Sequence, residues 1–286
     1  MSKMFRCRDK ILNLDQPIIM GILNITPDSF FDGGRYSSLS SALAQAEKML
    51  EEGAQIIDIG GESTRPGAAR VSADEQILRI MHIIEAIAKK GDVVISVDTS
   101  DPAVMRCAAD CGAKMINDVS ALSAPGARQV VSEYGLGVCL MHMQGMPINM
   151  QQHPSYDHLL DDISLFLREK ITACIQEGIL HDQIVIDPGI GFGKTVQHNL
   201  IIINQLKKML ELDCPLLVGA SRKSFIGHVL KKELDQRLFG GLAAHVVSVM
   251  HGARIIRTHD VKETQEAVNM AWAILASTSF SNLEIK

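Results

Sequence analysis

The chain alternates between short apolar runs and longer amphipathic stretches, and the alternation occurs eight times. Each short run is bounded by turn residues, as expected for a buried strand. The eight predicted strands are Ile18–Leu23, Gln55–Ile59, Val93–Val97, Lys114–Ile116, Gly137–Met141, Gln183–Ile186, Pro215–Val218 and Arg254–Ile256. Because strands that alternate with helices form parallel sheets, this pattern predicts a parallel sheet covered by helices.

Each predicted strand is followed by a helical pattern. The helices cover 39–50, 72–91, a stretch from 101, 125–133, 156–177, 195–212, a region up to 251 split near 234–235, and a last helix after 260. Ser72, Asp101 and Asp260 are the predicted N-caps, and Pro102 suits a first helical turn. Glu263, three residues after Asp260, predicts a capping box there.

Eight βα units in about 250 residues match the size of a closed (β/α)₈ TIM barrel. No change in composition marks a linker, so we expect residues 1–286 to form one domain with its active site at the C-terminal ends of the strands. The alternative is an open, doubly wound sheet. That fold usually has a glycine-rich dinucleotide turn after its first strand, where this chain has Asn24-Ile25-Thr26-Pro27.

Composition excludes several classes of function. With 28 basic and 33 acidic residues, the net charge of −5 gives no basic footprint for nucleic acid. No apolar run approaches the length of a membrane span, and no signal-peptide core follows the N-terminus. The six cysteines form no C-x-x-C pair, which argues against a disulfide framework or a zinc site. We therefore expect a cytoplasmic protein with reduced thiols.

Polar residues stand at or near the end of almost every predicted strand. They are Asn24, Asp58, Thr64, Arg65, Asp98, Asn117, His142, Asp187, Ser221, Lys223, Arg257 and His259. Any one of them alone fits a helix cap or a turn. In a barrel, however, the strand ends meet at one mouth, so the whole set indicates a functional site. Two long loops, 25–38 and 60–67, lie at the same end.

The residue types at this mouth leave two chemistries open. Asp58, Asp98, Asn117 and Asp187 suit either a metal ion or the edge of a polar heterocycle, and spacing does not decide between them. The cations in the loops that follow the second, seventh and eighth predicted strands favour a phosphate-bearing substrate. They are Arg65, Arg222, Lys223 and Arg257. The run Gly189–Lys194 lacks the spacing of a phosphate-binding loop, so it is weak evidence by itself.

Seven motifs resemble those of the dihydropteroate synthase family and occur in the family's order. They are MGILNITPDSFFDGG (20–34), DIGGESTRPGA (58–68), SVDT (96–99), INDV (116–119), DPGIGFGK (187–194), GASRKS (219–224) and RTHDV (257–261). The resemblance covers residues 18 to about 273. It implies a TIM barrel that condenses 6-hydroxymethyl-7,8-dihydropterin diphosphate with p-aminobenzoate. The products would be dihydropteroate and pyrophosphate.

The resemblance also implies a role for individual residues. The pterin ring would be bound by Asp98, Asn117, Asp187 and Lys223, and the diphosphate by Asn24, Thr64, Arg257 and His259. The p-aminobenzoate slot would be formed by Phe30, Arg65, Pro66, Phe192 and Ser221. Asp32, Arg65 and Lys223 would be catalytic, and Asn24 would bind Mg²⁺. Family members are usually homodimers and sulfonamide targets, so we expect both properties here.

One position departs from the family pattern, because Phe31 stands where a small residue, commonly Ser, is usual. We expect this change to affect loop packing and the response to sulfonamides more than the reaction. Three alternatives are a pterin-binding methyltransferase of the methyltetrahydrofolate:corrinoid type, a non-catalytic paralogue and a phosphate-binding aldolase barrel. The motifs TPDSF, STRP and SRKS disfavour the first, and the residues retained in every loop disfavour the second. No strand core carries the Schiff-base lysine that the third requires.

Overall fold

The computed structural model describes residues 4–25, 35–62, 71–91, 93–145 and 150–277, with the backbone alone at 35–38. Its strands are β1 Met4–Cys7, β2 Lys10–Asn13, β3 Ile18–Asn24, β4 Ile56–Gly60, β5 Val94–Asp98, β6 Met115–Asp118, β7 Gly137–Met141, β8 Ile184–Asp187, β9 Leu216–Val218 and β10 Ala253–Thr258. Its α-helices are α1 Arg35–Glu51, α2 Ala73–Ala88, α3 Pro102–Asp110, α4 Ala127–Tyr134, α5 Leu159–Gln176, α6 Val196–Asn204, α7 Ser224–Leu230, α8 Leu238–Met250 and α9 Val261–Ala276.

Strands β3 to β10 form a closed parallel barrel in which β10 pairs with β3. Each barrel strand is followed by at least one helix, as the alternation of the sequence predicts. The predicted TIM barrel is therefore confirmed, and the open doubly wound sheet is excluded.

An antiparallel hairpin of β1 and β2 precedes the barrel. It was not predicted from the sequence. Its side chains Phe5 and Cys7, together with Leu14, are fully buried in one cluster with barrel residues such as Met20 and Ile56. The hairpin therefore closes the end of the barrel where the strands begin. A second, larger apolar cluster fills the space between the strands and the helices.

Some helix boundaries differ from the predicted ones. Helix α1 begins at Arg35, so the preceding loop is shorter than expected. The predicted helix 195–212 is instead α6 followed by a 3₁₀ helix at Leu206–Leu212, because Gln205 leaves the helical conformation with φ −113°. The capping box predicted at Asp260 is wrong, since that side chain does not cap α9. Its carboxylate pairs with Arg222 instead.

Two of the predicted caps are confirmed. The Ser72 side chain accepts a hydrogen bond from the backbone N–H of Glu75 at 3.3 Å, and the Asp101 side chain accepts one from Ala103 at 2.8 Å. In the described part of the chain, no helix has both the length and the apolar character needed to cross a membrane.

Candidate active site

Four polar acceptors lie inside the barrel near the C-terminal ends of its strands. Asp58, Asp98, Asn117 and Asp187 belong to β4, β5, β6 and β8, and all four are buried. In the barrel register, Gly60 lies opposite Asp98, and Asp98 lies opposite Asn117. The fold therefore brings these carboxylates and this amide to one enclosed surface, as the strand-end pattern predicts.

Arg257, from β10, binds two of these groups directly, and a third is linked to it through Asp58. Its Nε donates to Asp58 Oδ2 at 2.7 Å, and its Nη2 donates to Asp98 Oδ2 at 2.9 Å. The amide Nδ2 of Asn117 donates to the same Asp58 oxygen at 3.1 Å. Asp58 thus fixes the direction of both the guanidinium and the amide. Since Nδ2 is used, the other end of the Asn117 amide is left as an acceptor.

Several buried oxygens at this surface lack a partner among the described residues. They are Oδ1 of Asp58, Oδ1 of Asp98 and Oγ of Ser96. Buried polar atoms are nearly always hydrogen-bonded, so unpaired acceptors at a strand-end cavity indicate a place for donor groups of a ligand or for water. Burial raises the pKa of Asp98 to about 7, although Arg257 opposes the shift; Asp58 and Asp118 add to it.

Asp187 and Lys223 form a second part of the surface. The backbone N–H of Gly189 donates to Asp187 Oδ1 at 2.7 Å. Burial lowers the pKa of Lys223 to about 8, and the charge of Asp187 counters this. The Lys223 Nζ lies 4.0 Å from the centre of the Phe192 ring, within cation–π range. These three side chains therefore combine an acceptor, a donor and a flat apolar face.

Ser221 and His259 are held together at the ends of β9 and β10. Ser221 Oγ lies 3.0 Å from His259 Nδ1, and it also accepts a hydrogen bond from the His259 backbone N–H at 3.2 Å. The neighbouring Arg222 pairs with Asp260 and is partly exposed. Arg222 is therefore already engaged by a carboxylate.

Asn24 ends β3, directly opposite Gly60 of β4. A Cβ atom at Gly60 would lie 3.3 Å from Asn24 Oδ1 and 3.6 Å from the Asp98 Cβ, so the glycine keeps this space open. An amide oxygen beside an open space suits Mg²⁺, which usually takes one or two protein ligands and completes its shell with water and phosphate oxygens. Among the described residues no cluster of three His, Cys, Asp or Glu side chains offers an all-protein metal cage.

Five predicted site residues fall outside the part of the chain that the structure describes. They are Phe30, Asp32, Thr64, Arg65 and Pro66, and Phe31 also lies outside it. The structure places the remaining predicted residues at the strand ends described above, with Asn24 beside Asp98 and Ser221 beside His259.

Two buried groups at the site have partners that the sequence does not predict. The sequence marks Asp58 as a candidate for a metal ion or a heterocycle edge, because it is a charged residue in an apolar strand. It does not indicate the bonds of Asp58 to Arg257 and Asn117. For Lys194, which is only 2% exposed, the sequence offers only the weak resemblance of 189–194 to a phosphate loop.

Comparisons with known proteins agree with this geometry. The family profile described as "Pterin binding enzyme" matches residues 20–259. Dihydropteroate synthase of Escherichia coli (strain K12) is 50% identical over 266 residues, which cover 93% of this chain and 94% of that protein. The chain belongs to the dihydropteroate synthase family. The match includes every described strand end that carries a site residue.

Two solved dihydropteroate synthases share the fold. The Yersinia pestis enzyme, solved with a sulfonamide drug, superposes with a TM-score of 0.90 at 48% identity and covers 95% of this chain and 99% of its own. The Xanthomonas albilineans enzyme, solved in complex with 7,8-dihydropteroate, gives a TM-score of 0.86 at 37% identity over 96% of this chain and 99% of its own. Both likenesses extend over nearly the whole barrel.

Proposed function

We propose that this chain condenses 6-hydroxymethyl-7,8-dihydropterin diphosphate with p-aminobenzoate, releasing pyrophosphate and forming 7,8-dihydropteroate for folate biosynthesis. The observation that carries the proposal is the enclosed set of acceptors formed by Asp98, Asn117 and Asp187, with Lys223 and Arg257 beside it. Few ligands other than a flat heterocycle rich in N–H groups satisfy three acceptors at fixed angles in a dry pocket.

The pterin ring bears an amino group and ring N–H groups as donors, and an oxo group and ring nitrogens as acceptors. Asp98, Asn117 and Asp187 are assigned to the donors, and Lys223 to the acceptors. The Asn117 amide is already oriented for this task, because its Nδ2 is held by Asp58. Lys223 is oriented by the Phe192 face. A preformed pocket of this kind reduces the entropy lost on binding.

The diphosphate needs positive charge and donors at the rim of the mouth. Arg257, in β10, and His259, directly after that strand, are assigned to it together with Asn24 and Thr64. Arg257 Nη1 makes no hydrogen bond to the described residues, so it can donate to a phosphate oxygen while Nε and Nη2 stay paired. Mg²⁺, when bound at Asn24, would neutralise charge on the leaving diphosphate.

The chain's task in the reaction is to stabilise the leaving group and to exclude water. Pyrophosphate leaves with the electron pair of the C–O bond, and the pterin-methyl cation that remains is attacked by the aniline nitrogen of p-aminobenzoate. The new C–N bond becomes the neutral secondary amine when that nitrogen releases one proton to solvent. Fixed charges such as Arg257 stabilise the departing oxygens without rearrangement. Phe192 and Ser221 are assigned to the p-aminobenzoate slot, with Phe30, Arg65 and Pro66; Asp32 is assigned to face the cation.

The test is to mix the purified chain with pterin diphosphate, p-aminobenzoate and Mg²⁺ and to measure pyrophosphate and dihydropteroate together. We expect both products in equal amounts, and inhibition by a sulfonamide that competes with p-aminobenzoate. Omitting p-aminobenzoate should abolish dihydropteroate. Pterin binding without either product would instead support the non-catalytic paralogue.

We also propose that the chain forms a homodimer through α7, α8 and α9. Exposed large apolar side chains concentrate on these helices: Val229, Leu230, Phe239, Val247, Met250, Met270, Ile274 and Leu275. Helices α7 and α9 both pack against α8, and monomeric proteins seldom expose large contiguous apolar patches. All six cysteines are free thiols, which supports the proposed cytoplasmic location.

A further inference from the structure

Lys194 is a buried lysine with no carboxylate within ion-pair distance among the described residues, although the charge of Asp187 acts on it. It is followed directly by the N-cap of α6, Thr195. Its ammonium group has three acceptors: His142 Nδ1 at 3.0 Å, the His142 carbonyl at 3.3 Å and the Phe192 carbonyl at 2.9 Å. Three acceptors match the three protons of an ammonium group, so Lys194 has no donor left for a phosphate.

The partners of Lys194 lie on two different segments. His142 directly follows β7, and Phe192 lies in the loop after β8. The His142 ring packs against Phe166 at 5.0 Å and Tyr156 at 5.9 Å between ring centres. Lys194 therefore joins the loop that carries Phe192 to a rigid aromatic group at the neighbouring strand end.

The loop after β8 fits closely against the segment after β7. A Cβ at Gly189 would lie 1.9 Å from the His142 carbonyl oxygen, and one at Gly193 would lie 2.3 Å from the Gln144 carbonyl oxygen. The Gly193 carbonyl accepts a hydrogen bond from Tyr156 at 2.8 Å. Only glycine permits this approach, and both glycines have positive φ. A displacement of the loop at Lys194 would thus move Phe192.

We propose that Lys194 is a positioning residue that acts through Phe192. Its ammonium group donates a hydrogen bond to the Phe192 carbonyl and thereby fixes the Phe192 ring, whose centre lies 4.0 Å from Lys223 Nζ. The position of this ring sets the width of the p-aminobenzoate slot. The inference rests on the proposed function. Burial lowers the pKa of Lys194 to about 7 and that of His142 to about 3, in keeping with a group enclosed away from solvent.

The experiment is a double-mutant cycle between Lys194→Met and Phe192→Ala, with KM for p-aminobenzoate, kcat and the dissociation constant of pterin diphosphate measured for each variant. We expect Lys194→Met to raise KM for p-aminobenzoate about tenfold or more, since it removes hydrogen bonds from a charged donor. The pterin dissociation constant should change less. In the Phe192→Ala background the same substitution should add less than about twofold, because coupled residues are not additive.

The matched control is Lys208→Met, which changes an exposed lysine and should leave every constant within about twofold. His142→Phe keeps the aromatic packing but removes the Nδ1 acceptor. It should also raise KM for p-aminobenzoate, by a smaller factor than Lys194→Met does. If Lys194→Met does not fold, a double-mutant cycle between His142→Phe and Phe192→Ala tests instead whether these contacts act through Phe192. Equal effects in both backgrounds, or a lower kcat with unchanged KM, would overturn the proposal. Wild-type turnover reports separately on the proposed function.

Discussion

At the scale of single residues, Asp58 is central to the site because its carboxylate orients two other site residues. Its Oδ2 accepts hydrogen bonds from both Arg257 and Asn117 and is fully buried. Removing one member of a buried ion pair leaves the other charge uncompensated, which is costly. Asp58 is therefore expected to organise the pocket by holding Arg257 and Asn117 in place.

Replacing Asp58 with Asn should change the pH dependence of pterin binding. The ionised Asp98 carboxylate accepts hydrogen bonds on both oxygens, whereas the protonated group presents an O–H donor on one of them. Wild-type binding should therefore strengthen as pH rises through about 7, the pKa of Asp98. The groups that act on Asp98 are Asp58, Arg257, Asp118 and Lys223. Asp58→Asn removes a negative neighbour, so the pKa of Asp98 should fall and the midpoint should move to lower pH. Calorimetric titration with pterin diphosphate between about pH 5.5 and about pH 8.5 measures this midpoint, because the window brackets the pKa of Asp98.

An unchanged midpoint in the Asp58→Asn variant would contradict this coupling. A useful comparison is Asp182→Asn, because Asp182 pairs with Arg6 at the other end of the barrel. That variant should keep the wild-type midpoint.

Lys223→Ala tests the donor assigned to the pterin acceptors. Loss of a charged hydrogen bond costs about 1.5–3 kcal/mol, so pterin affinity should fall by about 10- to 100-fold. The barrel should remain folded, since the Lys223 side chain contacts the site and not the main apolar cores. Lys232→Ala, at an exposed position, is the control. Wild-type affinity in Lys223→Ala would refute the assignment, and circular dichroism verifies the fold.

At the scale of elements, the strands and their order followed from the sequence, because eight apolar runs separated by helical periods fit few folds. The hairpin β1–β2 did not follow. Its strands are only four residues each, and β2 alternates between half-buried and exposed positions, so neither has a strong apolar signature. Its burial depends on contact with the barrel, which local sequence does not reveal.

The loop after β6 shows a second limit of sequence reasoning. Ala121 and Leu122 have φ of 52° and 53°, a conformation that neither residue type indicates. The buried Asp118 carboxylate stabilises the turn by accepting from the backbone N–H of Ser120 at 2.7 Å and of Leu122 at 2.8 Å. The motif INDV predicts the acceptor Asn117, but the turn that follows depends on the position of the neighbouring Asp118 carboxylate in the folded chain.

Phe5→Ala should destabilise the protein without altering chemistry at the mouth. Phe5 is fully buried at the closed end of the barrel, and deleting a buried Phe side chain typically costs about 3–5 kcal/mol. Urea unfolding should show this loss, while KM for both substrates stays at the wild-type value. Ile11→Ala, on the neighbouring strand and 51% exposed, should cost less than about 0.5 kcal/mol. Equal stabilities of the two variants would show that the hairpin does not pack as described.

At the scale of the whole molecule, the two ends of the barrel have separate tasks. The end where the strands begin is closed by apolar side chains of the hairpin, whereas the other end carries Asp58, Asp98 and Arg257, with Oδ1 of both carboxylates unpaired among the described residues. This division is the usual one in TIM barrels, in which stability and activity reside at opposite ends. It explains why strand-end residues could be predicted from sequence once the barrel was inferred.

Phe239→Glu tests the proposed homodimer. Phe239 is 79% exposed on α8, and a carboxylate in an apolar interface pays a large desolvation cost. Analytical ultracentrifugation should show a dimer for the wild type and a monomer for the variant at equal concentration. Leu165→Glu changes an exposed apolar residue on α5 and should remain dimeric. A monomeric wild type, or a dimer that tolerates Phe239→Glu, would contradict the proposed interface.

The most direct test of the account is a crystal structure with pterin diphosphate bound. We predict that the ring lies in the barrel mouth, with its donors on Asp98, Asn117 and Asp187 and its acceptors on Lys223. The diphosphate should lie beside Arg257 and His259. A ring bound instead in the groove of about 1010 Å³ at the opposite end, between the hairpin and helices α1 and α2, would contradict the account.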